Sequence, residues 1–590
     1  MPRHGAMESL SQDEGAGGDR RPWHRHYDPG VPAELRYEPL TLADSLRRTV
    51  ANRADHPALA FQGAEFDYAW LGRAVARAAR GFAERGVGPG VSVGIQLPNL
   101  PQTVIAYQAA MMLGARVVLT NPLYSPRELL HQWNDAQVRV AVVADFLYGS
   151  KIRDLRSRLS VEHFIVARIA DHLGALKRWL APLLLARKDP PLSAPIPKEK
   201  GVTRWLDFLG SGAPELPRVP IDINEVAVLQ YTGGTTGVSK GAMLTHRNLS
   251  CNVQQIDPWL RSSTWTQGHF DDQVFLSCLP LFHVFGMTVG MNWPIRMGAK
   301  IVLAPNPRDL GSLVDAIEKE RVTIFPAVPA LLDGIARRPD IRERDLKSVQ
   351  VVVSGSAPLP SAVRERFEAL TGCTIVEGFG LTETSPVSHV NPVRGENRKG
   401  SIGLPIPDTD CLVVALDEQG RGDRTRVQPV GEPGELLIRG PQVMKGYWKQ
   451  PAETDKSLDG GWLHTGDLAT VDADGYFRIV GRTKEMINIG GLKVYPDEVD
   501  DTLTRHPDIV ESATVGVPDE KGREMVKSFV VLRPGARLAA EEIRVFAARD
   551  LAPYKVPREV EFLDALPRSS VLKVLRRELV ARETKKREGG

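Results

Sequence analysis

The stretch LQYTGGTTGVSKGA, residues 229–242, concentrates residues suited to one kind of chemistry. The apolar run Val226–Tyr231 leads into it and reads as a buried strand. Gly233, Gly234, Gly237 and Gly241 let backbone N–H groups turn inward and approach phosphate oxygens. Thr232, Thr235, Thr236 and Ser239 add hydroxyls, and Lys240 adds a positive charge. Phosphate binding is the chemistry this composition serves, with a plain surface loop as the alternative. A Walker A loop needs glycine directly before Lys-Ser/Thr. Here Ser239 precedes Lys240 and Gly241 follows it, which argues against a P-loop NTPase. Three further side chains stand out by context: His283 in the apolar LPLFHVFGM, Asp467 in HTGD and Lys573 in the basic KVLRREL. Read alone, they are a core histidine, a turn aspartate and a solvated lysine.

These residues must be held by a large scaffold. The 590 residues exceed one compact domain, and at about 100–200 residues per domain they imply three or four units. With 42% hydrophobic and 25% charged residues, the chain is neither wholly disordered, collagenous nor a multi-span membrane protein. A net charge of +3 gives no electrostatic case for nucleic acid, and the basic KKREGG terminus lacks accompanying aromatics. The N-terminal segment has no apolar core like that of a signal peptide, and no run of about 18 apolar residues predicts a membrane span. Cys251, Cys278, Cys373 and Cys411 form no CxxC pair, which argues against a disulfide framework or zinc site and fits a reducing, cytoplasmic setting.

Up to about residue 480, strand and helix patterns alternate. Leu71, Val75 and Phe82 mark a helix ended by Gly86, and Val91–Ile95 follows as a strand. Arg116–Thr120, Val138–Ala144, Ile301–Ala304, Val322–Ala327 and Val351–Ser354 are further strands, and Val363, Phe367 and Leu370 mark a helix. This alternation predicts an α/β fold with largely parallel sheets. Beyond Gly481, Ala513–Val517, Val526–Leu532 and the helical EEIRVFAARDL form a smaller α+β unit, with GRTKEMINIGG as the junction. The expected organisation is a flexible tail over 1–25, a large domain over 26–483, a lid domain over 484–580 and a basic tail over 581–590.

YTGGTTGVSKG resembles the phosphate-binding loop of the adenylate-forming (AMP-binding) superfamily, which includes acyl-CoA synthetases. Further motifs of that family follow in order: LPLFHVFG (279–286), SGSAPL (354–359), EGFGLTE (377–383), GELLIRGPQVMKGYW (434–448), GWLHTGD (461–467), GRTKEMINIGG (481–491), VYPDEVD (494–500) and LPRSSVLKVLRREL (566–579). LTNPLYSPRELLHQ and GAMLTHRNL look most like bacterial long-chain fatty-acid–CoA ligases. The resemblance implies a large multi-subdomain α/β N-terminal domain, a small mobile C-terminal domain and a two-step reaction. A carboxylate attacks the α-phosphorus of MgATP, and the CoA thiol then displaces AMP.

The same resemblance assigns roles. The loop Thr232, Gly233, Gly234, Thr235, Thr236, Gly237 and Lys240 would hold the β- and γ-phosphates. Thr382 would bond the α-phosphate, and Glu383, joined by Thr235, would ligate Mg2+. Phe379 would stack on adenine between Gly378 and Gly380, edged by Ser356 and Ala357. Asp467 and Arg482 would hold the ribose, and His283 would face the acyl carboxylate. That carboxylate is already ionised at pH 7 and needs no general base. Lys573 would bridge the carboxylate and α-phosphate, Lys484 would be the hinge, and Gly490, Gly491 and Leu492 would line the thiol channel. Met287 occupies the position of an acyl gate. The chain departs from the family pattern at Gly233, Ser239, Glu485 and Leu572, the last standing where glycine usually precedes the catalytic lysine.

The expected partners are fatty acid, ATP and CoA, with a homodimer left open. Alternatives are an aryl-acid (cinnamate-like) CoA ligase, acyl transfer to a carrier protein, and a weakened acyl-adenylate sensor. In residues 169–188, Leu173, Leu176, Leu180 and Leu183 recur at helical spacing among Lys177, Arg178, Trp179, Arg187 and Lys188. This segment either packs on the domain or meets an anionic membrane surface as a peripheral contact.

Overall fold

The computed structural model describes residues 21–588 apart from 213, 233–238, 262–271, 490–491, 520–522 and 570–572. Among the described residues, β-branched runs form two large sheets. In one, Ser92–Gln96 lies between Arg116–Leu119 and Val138–Ala144, all parallel. Beyond Arg116–Leu119 come Val226–Thr232 and then Lys240–Thr245, an antiparallel hairpin at the sheet edge. The helix Pro101–Met112 is buried at every residue. This matches a sequence, PQTVIAYQAAMM, that has no polar face to offer water.

The second large sheet supplies the floor of the site. Val274–Ser277, Ile324–Ala327, Val351–Ser354 and the start of Thr374–Gly380 run parallel, so their carboxyl ends share one edge. Ligands in α/β sheets gather at such an edge. A smaller antiparallel sheet pairs Trp462–Val471 with Phe477–Arg482 and brings Asp467 opposite Arg482.

One apolar core extends from Trp23 to Phe477, and separate clusters begin at Ile487 and Ala513. The C-terminal unit is built on the pair Ile509–Pro518 and Glu524–Leu532 with helices Pro496–Thr504 and Ala540–Ala547. Two boundary expectations need correction. Residues 21–25 are packed rather than free: Trp23 is buried and the Arg21 guanidinium bonds Asp410 at 2.8 Å. The basic tail expected over 581–590 continues the helix Arg576–Glu588, where buried Glu583 meets Lys527 at 2.8 Å.

Candidate active site

The carboxyl-end loops of the second sheet reach a cleft of about 1780 Å³. After Val274–Ser277 the chain turns through LPLFH. Asn99 fixes that turn by donating to the carbonyls of Ser277 and Leu279 and accepting from the Leu281 N–H at 2.9 Å. His283 then caps a short helix, its Nδ1 accepting the Phe285 N–H at 3.3 Å. Burial and the nearby Lys573 charge push the imidazole down to about 4, so it is neutral at pH 7. The next loops place Ser356 and Ala357, then Phe379 and Gly380, on the same wall. At Gly380 a Cβ would lie 2.0 Å from the Pro386 carbonyl oxygen, so this close chain approach requires glycine. Phe379 is half-buried, with its edge against His389.

Glu377 fastens this wall from behind. It accepts from the Arg364 guanidinium at 2.8 Å and from the Leu359 N–H at 3.3 Å, tying EGFGLTE to SGSAPL. Both Glu377 and Arg364 are buried.

Thr232 and Lys240 enter from the hairpin, whose strand is tied to the LPLFH turn by Gln230 donating to the Phe282 carbonyl at 2.8 Å. Strand–loop–strand geometry is not that of a P-loop NTPase, in which the loop opens a helix. The segment 440–448 runs beside the hairpin through Met243 N–H to Gly446 O and Trp448 N–H to Gly241 O, both 2.8 Å. That alignment places Tyr447 between Lys240 and Glu383. Its hydroxyl donates to Glu383 Oε1 at 2.7 Å, and its ring centre lies 5.4 Å from the Lys240 ammonium.

Asp467 is 3% exposed. Oδ1 accepts from Arg482 Nε at 2.8 Å, whereas Oδ2 is buried with no hydrogen-bond partner among the described residues. An unpartnered buried carboxylate oxygen at a cleft wall fits a sugar hydroxyl. Burial raises the Asp467 pKa, opposed by Arg482 and Lys573. Asp467 in turn raises the pKa of Arg482. Lys573 reaches this point from the C-terminal unit, on a return held by Ser569 N–H to Lys573 O at 2.8 Å. Its surface is open to the cleft, yet the surrounding protein and Arg482 lower its pKa.

The structure thus brings Thr232, Lys240, His283, Ser356, Ala357, Gly378, Phe379, Gly380, Thr382, Glu383, Asp467, Arg482, Lys484 and Lys573 to one cleft. Met287 is placed elsewhere: it is fully buried in the core behind His283 and does not line the cleft. Gly233, Gly234, Thr235, Thr236, Gly237, Gly490, Gly491 and Leu572 lie outside the described residues. Tyr447 and Glu453 also line the cleft and carried no assignment from sequence. The GYW motif contained the first. The ion pair that marks the second spans more than two hundred positions and leaves no local signal.

Residues 46–448 match the AMP-binding enzyme family, and residues 498–573 match the AMP-binding enzyme C-terminal domain. The chain belongs to the AMP-binding enzyme family. Within it, a long-chain-fatty-acid–CoA ligase of Bacillus subtilis is 38% identical over 567 residues, covering 96% of this chain and 98% of the relative. One from Escherichia coli O157:H7 is 38% identical over 578 residues, covering 95% and 98%. Among solved AMP-binding enzymes, the anthranilate CoA ligase AuaEII in complex with anthranoyl-AMP superposes with a TM-score of 0.78 at 26% identity, covering 94% of this chain and 98% of that one. ATP and CoA as substrates fit this family.

Proposed function

We infer that this AMP-binding enzyme joins a long-chain fatty acid to coenzyme A, through an acyl-adenylate and with release of AMP and pyrophosphate. The observation that carries the chemistry is Lys573 of the C-terminal unit standing in the same cleft as His283 and the Asp467–Arg482 pair. The acyl class rests on two long-chain ligases that match almost end to end.

Both substrates of the first step are anions, so the protein's task is to hold them together and offset their charge. Lys573 would sit between the carboxylate and the α-phosphate. The neutral His283 would orient the carboxylate without removing a proton. Asp467 Oδ2 and Arg482 would fix the ribose, Phe379 the adenine, and Thr382 the α-phosphate. Lys240 and the residues before it would hold the outer phosphates. Tyr447 occupies one oxygen of Glu383 and leaves the other for a hard cation. Among the described residues no cluster of three or more His, Cys, Asp or Glu forms a metal cage. A single carboxylate suits magnesium, which keeps water and phosphate oxygens as most of its ligands. Glu383 would hold that ion, which when bound neutralises polyphosphate charge.

The test is pyrophosphate exchange and AMP release across a panel of carboxylic acids. Palmitate should support both, with CoA required for full AMP release. Preference for cinnamates would favour the aryl-acid reading. Acyl transfer only to a carrier protein would favour the second alternative, and no exchange with any acid would favour the sensor.

We further propose contact with an anionic bilayer through the helix Ala175–Leu185. No residue of it is buried, and Leu176 and Trp179 are 71% and 69% exposed. Lys177, Arg178, Arg187 and Lys188 accompany them without an acidic residue between 175 and 188. Apolar side chains beside basic ones suit an interface where fatty acids partition, and such a site would lie at the cytoplasmic face. Among the described residues no helix is long and apolar enough to cross a membrane. The protein should sediment with anionic liposomes at low salt, and Leu176→Ser/Trp179→Ser should abolish this. Failure of the unaltered protein to sediment would reject the contact.

A further inference from the structure

Lys240 is already partnered. Its ammonium donates to Glu453 Oε2, and it stands over Tyr447. Glu453 lies in the first turn of the helix Pro451–Ser457, and its other oxygen accepts from Lys456 at 2.9 Å. Lys240, then Lys456, hold the carboxyl down to about 2, so it is an anion at every pH of interest. Glu453, Lys456 and Lys240 all line the cleft. The lysine assigned to the polyphosphate therefore carries a carboxylate of the protein's own, at the place where an outer phosphate would compete for it. Glu453 has a second cation to keep when it loses the first.

We propose that Glu453 is a positioning residue that exchanges with polyphosphate for Lys240. On this view ATP displaces the carboxylate, which stays with Lys456. Once the α–β phosphate bond has broken, Glu453 returns to Lys240 and hastens the departure of pyrophosphate. The exchange swaps ionic partners and makes or breaks no covalent bond. Lys240 keeps an anion in both states, so it never stands desolvated without a counter-charge. The proposal rests on the assignment of the hairpin loop to the outer phosphates.

The experiment compares the unaltered enzyme with Glu453→Gln, Glu453→Asp, Lys240→Ala and the Glu453→Gln/Lys240→Ala double variant. Affinities for inorganic pyrophosphate and for ATP are measured by calorimetry, and product inhibition by pyrophosphate is measured during acyl-CoA formation. Glu453 is only half-buried, so removing its charge should tighten pyrophosphate binding by about three- to fivefold. The pyrophosphate inhibition constant should fall by the same factor. Glu453→Asp should lie between the two, and the gain should vanish in the Lys240→Ala background. A purely structural role predicts weaker binding, never tighter. Equal or weaker pyrophosphate affinity in Glu453→Gln, or tightening that persists without Lys240, would overturn the proposal. An unaltered enzyme that binds neither ATP nor pyrophosphate would instead overturn the polyphosphate assignment.

Discussion

Lys573 and His283 illustrate how environment assigns chemistry to ordinary side chains. One is an amine whose pKa is lowered by burial and Arg482, the other an imidazole held neutral by burial and by the charge of that amine. Lys573→Ala should slow adenylate formation by about 10²–10³-fold, the effect of losing one preorganised donor. Thiolysis of supplied acyl-adenylate should suffer far less, because the anions that Lys573 is proposed to bring together have by then reacted. Separate assays of the two half-reactions check this, and equal losses would reject the assignment. Glu383 presents a different case. Tyr447 fixes one of its oxygens, so Glu383→Gln retains an acceptor for the tyrosine while losing the charge offered to a cation. The magnesium concentration at half-maximal rate should rise with little change in melting temperature, and an unchanged magnesium titration would remove Glu383 from the metal site. Asp467 was legible in HTGD as a preorganised carboxylate, but the unpartnered Oδ2 was not. A sequence reports which atoms exist and leaves open which of them fail to find a partner.

The turn after Phe477–Arg482 leads from the large domain into the C-terminal unit. Glu485 N–H and Met486 N–H both close onto the Arg482 carbonyl, around Lys484. We propose this turn as the hinge. Proline at 484 fixes φ near −65° and should trap one arrangement. Lys484→Pro should then keep adenylate formation while losing thiolysis by about tenfold more. Pyrophosphate exchange and acyl-CoA production falling by one factor in folded protein would exclude the hinge. Many elements were legible where local chemistry suffices. Val138–Ala144 and Val351–Ser354 begin and end as their valine-rich runs predict. The hairpin was not, because its return strand Lys240–Thr245 owes its pairing to Val226–Thr232 rather than to strand-like composition. The terminal helix was hidden for a related reason: ARETKKREGG looks solvated until Glu583 finds Lys527 on the strand Glu524–Leu532. Met287 fits a gate by position, yet the helix run that carries it turns the side chain into the core.

Taken whole, the molecule is a set of sheets whose interior admits charge mainly in pairs, such as Arg364 with Glu377 and Lys527 with Glu583, and keeps its buried histidines neutral, so its response to acid follows. Burial holds His172, His246 and His283 at about 4 and His389 at about 3, below the ordinary 6.5. Between these values the unfolded chain binds protons that the folded chain refuses, so stability falls as pH drops through that window. Asp171 and Asp501, raised by burial to about 6, bind protons in the fold and oppose this. Asp145, Glu377 and Asp467 are raised by burial too, but His163 joins the lowered histidines. Carboxylates held low, among them Glu38, Glu435, Glu453 and Glu561, also leave the unfolded chain binding more protons. The melting temperature should therefore decline from pH 7 to pH 4.5, which scanning calorimetry at several pH values would check. The break between an apolar core ending at Phe477 and another beginning at Ile487 has a hydrodynamic side. A body with its own interior moves against solvent friction, not against a shared core that must melt. Where its rotation limits turnover, acyl-CoA synthesis should slow in proportion to added sucrose viscosity. If pyrophosphate exchange needs only the docked arrangement, as the hinge proposal implies, it should feel almost none of that drag.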